Sequence, residues 1–192
     1  LNMTTLSQIE SYLTVRNPHG PVEFKEKGSR FISNLFPVTD ADHCSRIITE
    51  QRKTFYDCTH VCSAFIIGEG KEDIFRYNDD GEPSGSAGLP FYHEIKGASL
   101  FNVLVTVIRY YGGVKLGTGG LTRAYGQSAK MVINTASPQR IYRMQSFQVV
   151  FPYNFTGEIM QLCERHGLEV ISQEYLQNDI VSKLDIPVAK ID

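Results

Sequence analysis

No apolar run in the 192 residues approaches the ~18 needed to cross a bilayer as a helix. The opening Leu1-Asn2-Met3-Thr4 has no basic patch leading into an apolar stretch, so no secretory signal is expected. Cysteine is scarce. Cys44, Cys58, Cys62 and Cys163 are too few for a disulfide scaffold, and reduced thiols in a cytoplasmic protein are the expectation. No Cys-x-x-Cys pair occurs to hold zinc. No Gly-Lys-Ser/Thr closes a phosphate loop, and no nucleophile elbow surrounds a serine. The acidic residue that a dinucleotide fold places ~20 positions beyond its glycines is missing too. Together these absences set aside membrane spanning, secretion, Walker-type nucleotide hydrolysis and elbow-type serine hydrolysis.

The largest absence is of acid. No Asp or Glu lies between Ile95 and Gly157, a stretch that carries Lys96, Arg109, Lys115, Arg123, Lys130, Arg140 and Arg143. Its formal charge is +7, and the chain's net −2 therefore leaves −9 for the remainder. The net charge excludes a uniformly basic nucleic-acid binder. Two readings of the segregation stay open: clustering on a solvated face, or an anion-facing surface set against an acidic remainder. Otherwise the composition, 42% hydrophobic and 21% charged, is that of one large globular domain or two small ones.

Periodicity sketches the elements. Residues 22–25 and 30–38 read as a strand pair around the Lys27-Gly28-Ser29 turn. Thr39 and Asp42 resemble a capping box before a helix with Cys44, Ile47, Ile48 and Phe55 at helical spacing. Residues 61–67 and 74–77 read as a hairpin around a polar turn at 68–73. Residues 90–96 read as a short helix stopped by Gly97, and 101–108 as a central strand. A helix follows over roughly 119–136, ended by Ser137-Pro138, the best domain boundary. Beyond it come a strand at 146–151 and a helix with Thr156 as N-cap, Phe155 and Met160 as a staple and Gly167 as its stop. A hairpin of 168–176 and 180–188 completes a β-α-β-β order, most of a ferredoxin-like fold.

Two stretches depart from ordinary scaffold. In the second, a buried strand leads through Arg109, Tyr110, Tyr111, Gly112, Gly113, Lys115, Gly117, Gly119 and Gly120 into a helix bearing Arg123 and Tyr125. Glycines admit close backbone approach, and a helix start offers unpaired N–H groups and partial positive charge, so the arrangement favours an anion. Arg123 in the first helical turn opposes the dipole, a local conflict that a bound phosphate would relieve. The plainer reading is a tight turn that lets the helix pack on its sheet. Tyr110, Tyr111 and Tyr125 either stack on bases or line a domain seam.

The first stretch, Asp79, Asp80, Gly81, Glu82, Pro83, Ser84 and Gly85, places three carboxylates in four residues. Metal binding or acid–base work is one reading, and an exposed turn is the stronger one. Ser84 becomes a nucleophile only with a positioned base, for which His60 and His93 are nearest in sequence. Cys58, His60 and Cys62 share one face of an extended segment, with His43-Cys44 before them; buried thiols in a core strand are favoured over a zinc site.

The runs DDGEPSGSAG (79–88) and RYYGGVKLGTGGLTRAYG (109–126) resemble the signature of the IMPACT family, as do Asp57-Cys58-Thr59-His60 and Gly28-Ser29-Arg30-Phe31. The likeness covers residues 20–137; Cys58, Asn78 and Ser86 depart from the family's usual Ala, Ser and Thr. The resemblance implies an α+β protein. Residues 1–137 are expected to have the fold of ribosomal protein S5 domain 2. Residues 138–192 are expected to be a ferredoxin-like domain, like the last domain of elongation factor G, short of a final strand. The family's eukaryotic members regulate translation initiation and carry an RWD domain, so the bacterial two-domain branch is the better match. The implied function is non-enzymatic: regulation of translation by binding RNA or a ribosome-associated protein, with no membrane, no cofactor and no metal. The anion site is expected at Arg109, Lys115 and Arg123, with Tyr110 and Tyr111 packing or stacking beside it. Residues 79–85 and His60 form its rim. The rival expectations are an enzyme that binds a nucleotide or small phosphorylated substrate at the same loop, and a protein–protein module.

Overall fold

A computed structural model describes residues 10–69 and 73–191. The expectation for Leu1-Asn2-Met3-Thr4, and the middle of the turn at 68–73, lie outside the described residues. The strands are β1 Ser11–Thr14, β2 His19–Glu26, β3 Ser29–Pro37, β4 His60–Ile67, β5 Ile74–Asn78, β6 Val103–Tyr110, β7 Gln139–Tyr142, β8 Met144–Pro152, β9 Glu169–Tyr175 and β10 Asp179–Pro187. The helices are α1 Ala41–Thr54, α2 Gly88–Gly97, α3 Gly117–Asn134 and α4 Thr156–His166. The mixture of helix and sheet is the expected class. No helix among the described residues is long and apolar enough to cross a membrane.

The chain divides into two units, one of Tyr12–Ile141 and one that runs from Tyr142 and includes Glu10 and Ser11. In the first, five strands form an antiparallel sheet in the order β2-β3-β6-β4-β5. β6 lies at its centre because both of its faces are covered. Val103, Val105 and Val107 enter the core beneath α2 and α3, whereas Leu104 packs with Cys44 and Phe65 beneath α1. Ile108 joins Ile32 and Val61 in a third cluster. This explains an almost unbroken apolar run in an antiparallel strand, where one solvated face usually imposes alternation.

Several boundaries differ from expectation. The cap of α1 is Asp40, one residue beyond Thr39: its carboxylate accepts from His43 N at 2.7 Å and from Thr39 Oγ1 at 2.7 Å. α3 begins at Gly117 and ends at Asn134, two residues earlier at each end than its pattern implied. β1 and β7, four residues each, pair with one another and had no readable signal. In the second unit β8, α4, β9 and β10 fold as a three-stranded antiparallel sheet, order β8-β10-β9, around Phe151, Ile180, Leu184 and Cys163. Thr156 is the first residue of α4 rather than its cap, and its hydroxyl donates to Tyr153 O. Gly167 ends α4 as expected, left-handed at φ 59°, with Gly167 N donating to Glu164 O and Leu168 N to Cys163 O.

One backbone contact fixes the approach to α3. Lys27 and Gly28 turn the β2–β3 hairpin with φ of 46° and 80°. The chain after β6 crosses so close to this turn that a Cβ on Gly112 would lie 1.8 Å from Gly28 C. Backbone meets backbone there, and no side chain can swing aside.

Two outcomes follow. Gly112→Ala destabilises the protein by about 1–3 kcal/mol or more, read by urea denaturation, because it overpacks a rigid contact. Asp40→Ala lowers the melting temperature at neutral pH. The two hydrogen bonds to the Asp40 carboxylate hold its pKa below the usual range. Its contribution is therefore present above the unfolded value and lost as pH falls through the folded one, so the two proteins' melting temperatures converge in acid.

Candidate functional site

The loop between β5 and α2 is organised by its own carboxylates. Asp79 accepts three backbone N–H bonds: Gly85 at 2.7 Å on Oδ2, and Ala87 at 3.0 Å and Gly88 at 2.8 Å on Oδ1. It thereby supplies the amino end of α2 with the acceptor that Ala87 lacks. Asp80 accepts from Val61 N at 2.6 Å and pairs with Arg52 of α1 at 2.5 Å. That partnership raises the Arg52 pKa. The Asp80 carbonyl lies 2.7 Å from His60 Nδ1. A carbonyl only accepts, so the proton sits on Nδ1 and the other ring nitrogen faces inward.

With Asp79 committed to the loop and Asp80 to β4 and α1, Glu82 turns into the protein. Its Oε1 accepts from Arg109 Nη1 at 2.5 Å and from Tyr125 OH at 2.7 Å, and His60 Nε2 lies 3.6 Å away. Arg109 Nη2 donates to Ser29 Oγ at 3.2 Å, which also accepts from Gly112 N at 3.2 Å. Cys62 Sγ donates to Asp79 O at 3.1 Å and sits 3.5 Å from the Tyr125 oxygen. Arg109 is 5% exposed and Glu82 9%, so the pair is shielded from water. Tyr125 is fully buried, edge-on to Phe31 and Phe91 at ring separations of 5.0 and 5.7 Å.

This network binds β3, β4, β6, α3 and the 79–88 loop into one piece. Burial pushes the Tyr125 phenol and the Cys62 thiol far up in pKa, so Tyr125 serves as a neutral donor and Cys62 is not a thiolate nucleophile. Cys44, buried beneath α1, is pushed up to about 12 by the same desolvation. Among the described residues no three His, Cys, Asp or Glu side chains are placed to hold a metal ion. Ser84 is exposed on the turn.

The placement corrects part of the expected anion site. Arg109 is half of an interior ion pair rather than a surface cation, because it is buried together with its partner Glu82. Tyr125 cannot stack on a base, since its ring is core and its hydroxyl is spent on Glu82. Tyr110 donates to Asp57 Oδ1 at 2.8 Å and lies under the Arg30 guanidinium at 4.5 Å. The rest of the set reaches the surface. Tyr111, Gly112, Gly113, Lys115, Gly117, Gly119 and Arg123 are exposed and Gly120 is half-buried. No side chain caps the amino end of α3. The earlier start of α3 places Arg123 past its first turn, which weakens the expected conflict with the dipole. Its guanidinium instead folds back, with Nη1 3.8 Å from where a Cβ on Gly119 would stand.

Beside this end of α3 lies a groove of about 660 Å³ floored by Phe24, Pro90, Leu116 and Ala124, with Lys27, Arg123 and Lys130 at its margin. Phe24 and Lys27 carried no functional signal in the sequence. The one available hint was the Lys27-Gly28 turn itself, which the Gly112 contact places next to the loop.

Glu82→Ala leaves the Arg109 charge and the Tyr125 hydroxyl buried without their acceptor and costs about 3–5 kcal/mol in chemical denaturation. Glu82→Gln, which keeps an acceptor oxygen but not the charge, costs less. Equal stability of all three proteins would show that the network does not hold the fold.

The sequence pattern of the Impact N-terminal domain matches residues 27–133. IMPACT family member YvyE of Bacillus subtilis is 38% identical over 79% of this chain and 69% of its own length. IMPACT family member YigZ of Escherichia coli is 30% identical over 95% of this chain and 89% of its own. The crystal structure of a hypothetical protein, 29% identical, superposes with a TM-score of 0.71 over 95% of this chain and 88% of that one. The matched domain takes in both halves of the Glu82–Arg109 network, and the likeness to bacterial members extends across both units: the chain belongs to the IMPACT family.

Proposed function

We propose that this protein is a non-enzymatic regulator of translation that binds RNA or a ribosome-associated partner through the loop 111–116 and the amino end of α3. The observation that carries the reading is the uncapped start of α3, with Arg123 folded back over Gly119 and Lys115 exposed on the loop before it. Free N–H groups and a cation on the same side favour a phosphate. The acid-free stretch from Lys96 to Thr156 leaves the loop and α3 without a carboxylate of their own to compete for it. Family membership supports translation as the setting. The same proposal takes the first unit as ribosomal protein S5 domain 2-like. It takes the second, by its β8-β10-β9 order, as the first three strands of a ferredoxin-like domain; the expected division at residues 137 and 138 lies four residues before the division of the two units at Ile141 and Tyr142.

Titration of a fluorescent single-stranded RNA between about 50 and 200 mM salt tests it. Each phosphate contact contributes a slope of about 0.7 in log K against log salt. Arg123→Ala weakens binding and lowers the slope by about that amount. Absence of binding at low salt, or an Arg123→Ala protein that binds as the parent does, overturns the proposal.

A further inference from the structure

The groove beside α3 has charges of both signs around an apolar floor, and they do not neutralise one another. Lys27, Arg123 and Lys130 line it, as do Glu26 and Glu94. None of the five takes part in an ion pair among the described residues. Opposite charges arranged around one recess without pairing fit a ligand that offers both an anion and hydrogen-bond donors. The apolar part of the lining, Phe24, Leu116, Pro90 and Ala124, asks for a third property, an apolar face on the ligand. At about 660 Å³ the groove has room for a small flat group.

We infer that this groove takes an unstacked nucleobase bearing an exocyclic amine, its phosphates on the cationic margin. The inference rests on the RNA-binding reading above and specifies that RNA: single-stranded, and richer in cytosine or adenine than in uracil. A duplex keeps its bases stacked inside and offers a protein mainly backbone, so it gains nothing from an apolar recess. A single strand can turn one base out onto the Phe24 ring, as bases stack on aromatic side chains elsewhere. Carboxylates repel phosphate but accept from the amino groups of cytosine and adenine, which uracil lacks. That gives Glu26 and Glu94 a role in a site otherwise built for an anion.

α3 supplies a way to block the groove. Gly126 lines it, and a Cβ there would meet only Pro90 Cβ at 3.6 Å, an ordinary contact. Its φ is not among the positive ones. Neither backbone conformation nor the space at Cβ requires glycine at this helical position, so a larger residue here is directed at the groove, and the melting temperature shows whether the fold accepts it.

The experiment compares oligo(C), oligo(U) and an RNA duplex of equal length by fluorescence anisotropy at low salt. The proteins are the parent chain, Gly126→Leu and Glu94→Ala, with melting temperatures as the control for folding. Oligo(C) is expected to bind the parent about tenfold or more tightly than the duplex, the effect of one stacked base, and more tightly than oligo(U). Gly126→Leu brings oligo(C) down to the level of the duplex while the salt slope stays unchanged. Glu94→Ala narrows the gap between oligo(C) and oligo(U). Equal binding of single strand and duplex, equal binding of oligo(C) and oligo(U), or a folded Gly126→Leu that binds as the parent does, each overturns the groove inference and leaves the phosphate reading standing. Failure of every RNA to bind at low salt overturns the phosphate reading itself.

Discussion

The buried contact between Glu82 and Arg109 sets the terms for the rest of the first unit. Two opposite charges removed from water require close geometry and satisfied neighbours, or they cost more than they return. The chain meets most of that demand with the hydroxyls of Tyr125 and Ser29 and the ring of His60, and leaves the buried Arg109 Nε without a hydrogen-bond partner among the described residues. Each helper belongs to a different element, so the position of the pair dictates where β3, β4, α3 and the loop after β5 can lie. The carboxylates of Asp79 and Asp80 act one layer further out. Asp79 fixes the loop's own backbone, Asp80 ties the loop to Val61 of β4 and Arg52 of α1, and Glu82 is left facing inward.

The same arrangement divides the glycine-rich segment into two parts with different work. Its first residue, Arg109, and its late residue Tyr125 are interior, and they hold the segment at both ends. Between them the backbone is free to lie open at the surface, with Lys115 and Arg123 facing solvent. The glycine-rich stretch is thus presented from two rigid anchors and held between them by Thr59, Ser29 and the first turns of α3, which lowers the entropy to be lost when something binds it.

Much of the scaffold was legible because apolar spacing reports burial directly. The run 101–108 announced a strand covered on both faces, and the β-α-β-β order of the second unit follows from the strand and helix periods with Gly167 as a stop. The ends of elements were less legible. Asp40 and Thr39 are both good caps, and only the fold decides that Asp40 faces His43 N. β1 and β7 are too short to show a period. The site was read with the right segments and the wrong division of labour. An arginine at the end of a strand looks like an exposed cation, and nothing in its neighbourhood reveals that Glu82, 27 residues earlier, folds against it. Tyr125, expected to stack on a base or line a domain seam, is core for the same reason: the buried acceptor of its hydroxyl is not visible in the sequence. Phe24 and Lys27 are silent in the sequence because their nearness to α3 is a tertiary arrangement of β2 and its turn.

The touching backbones of Gly28 and Gly112 make two distant positions answerable to each other. A Cβ on Gly112 would lie 1.8 Å from Gly28 C, and one on Gly28 would lie 2.8 Å from Gly112 O at a φ of 80°, so a side chain at either position must displace the other's main chain. The tip carrying Lys27 and the segment carrying Lys115 are therefore mechanically coupled: a shift of one is handed to the other through the backbone.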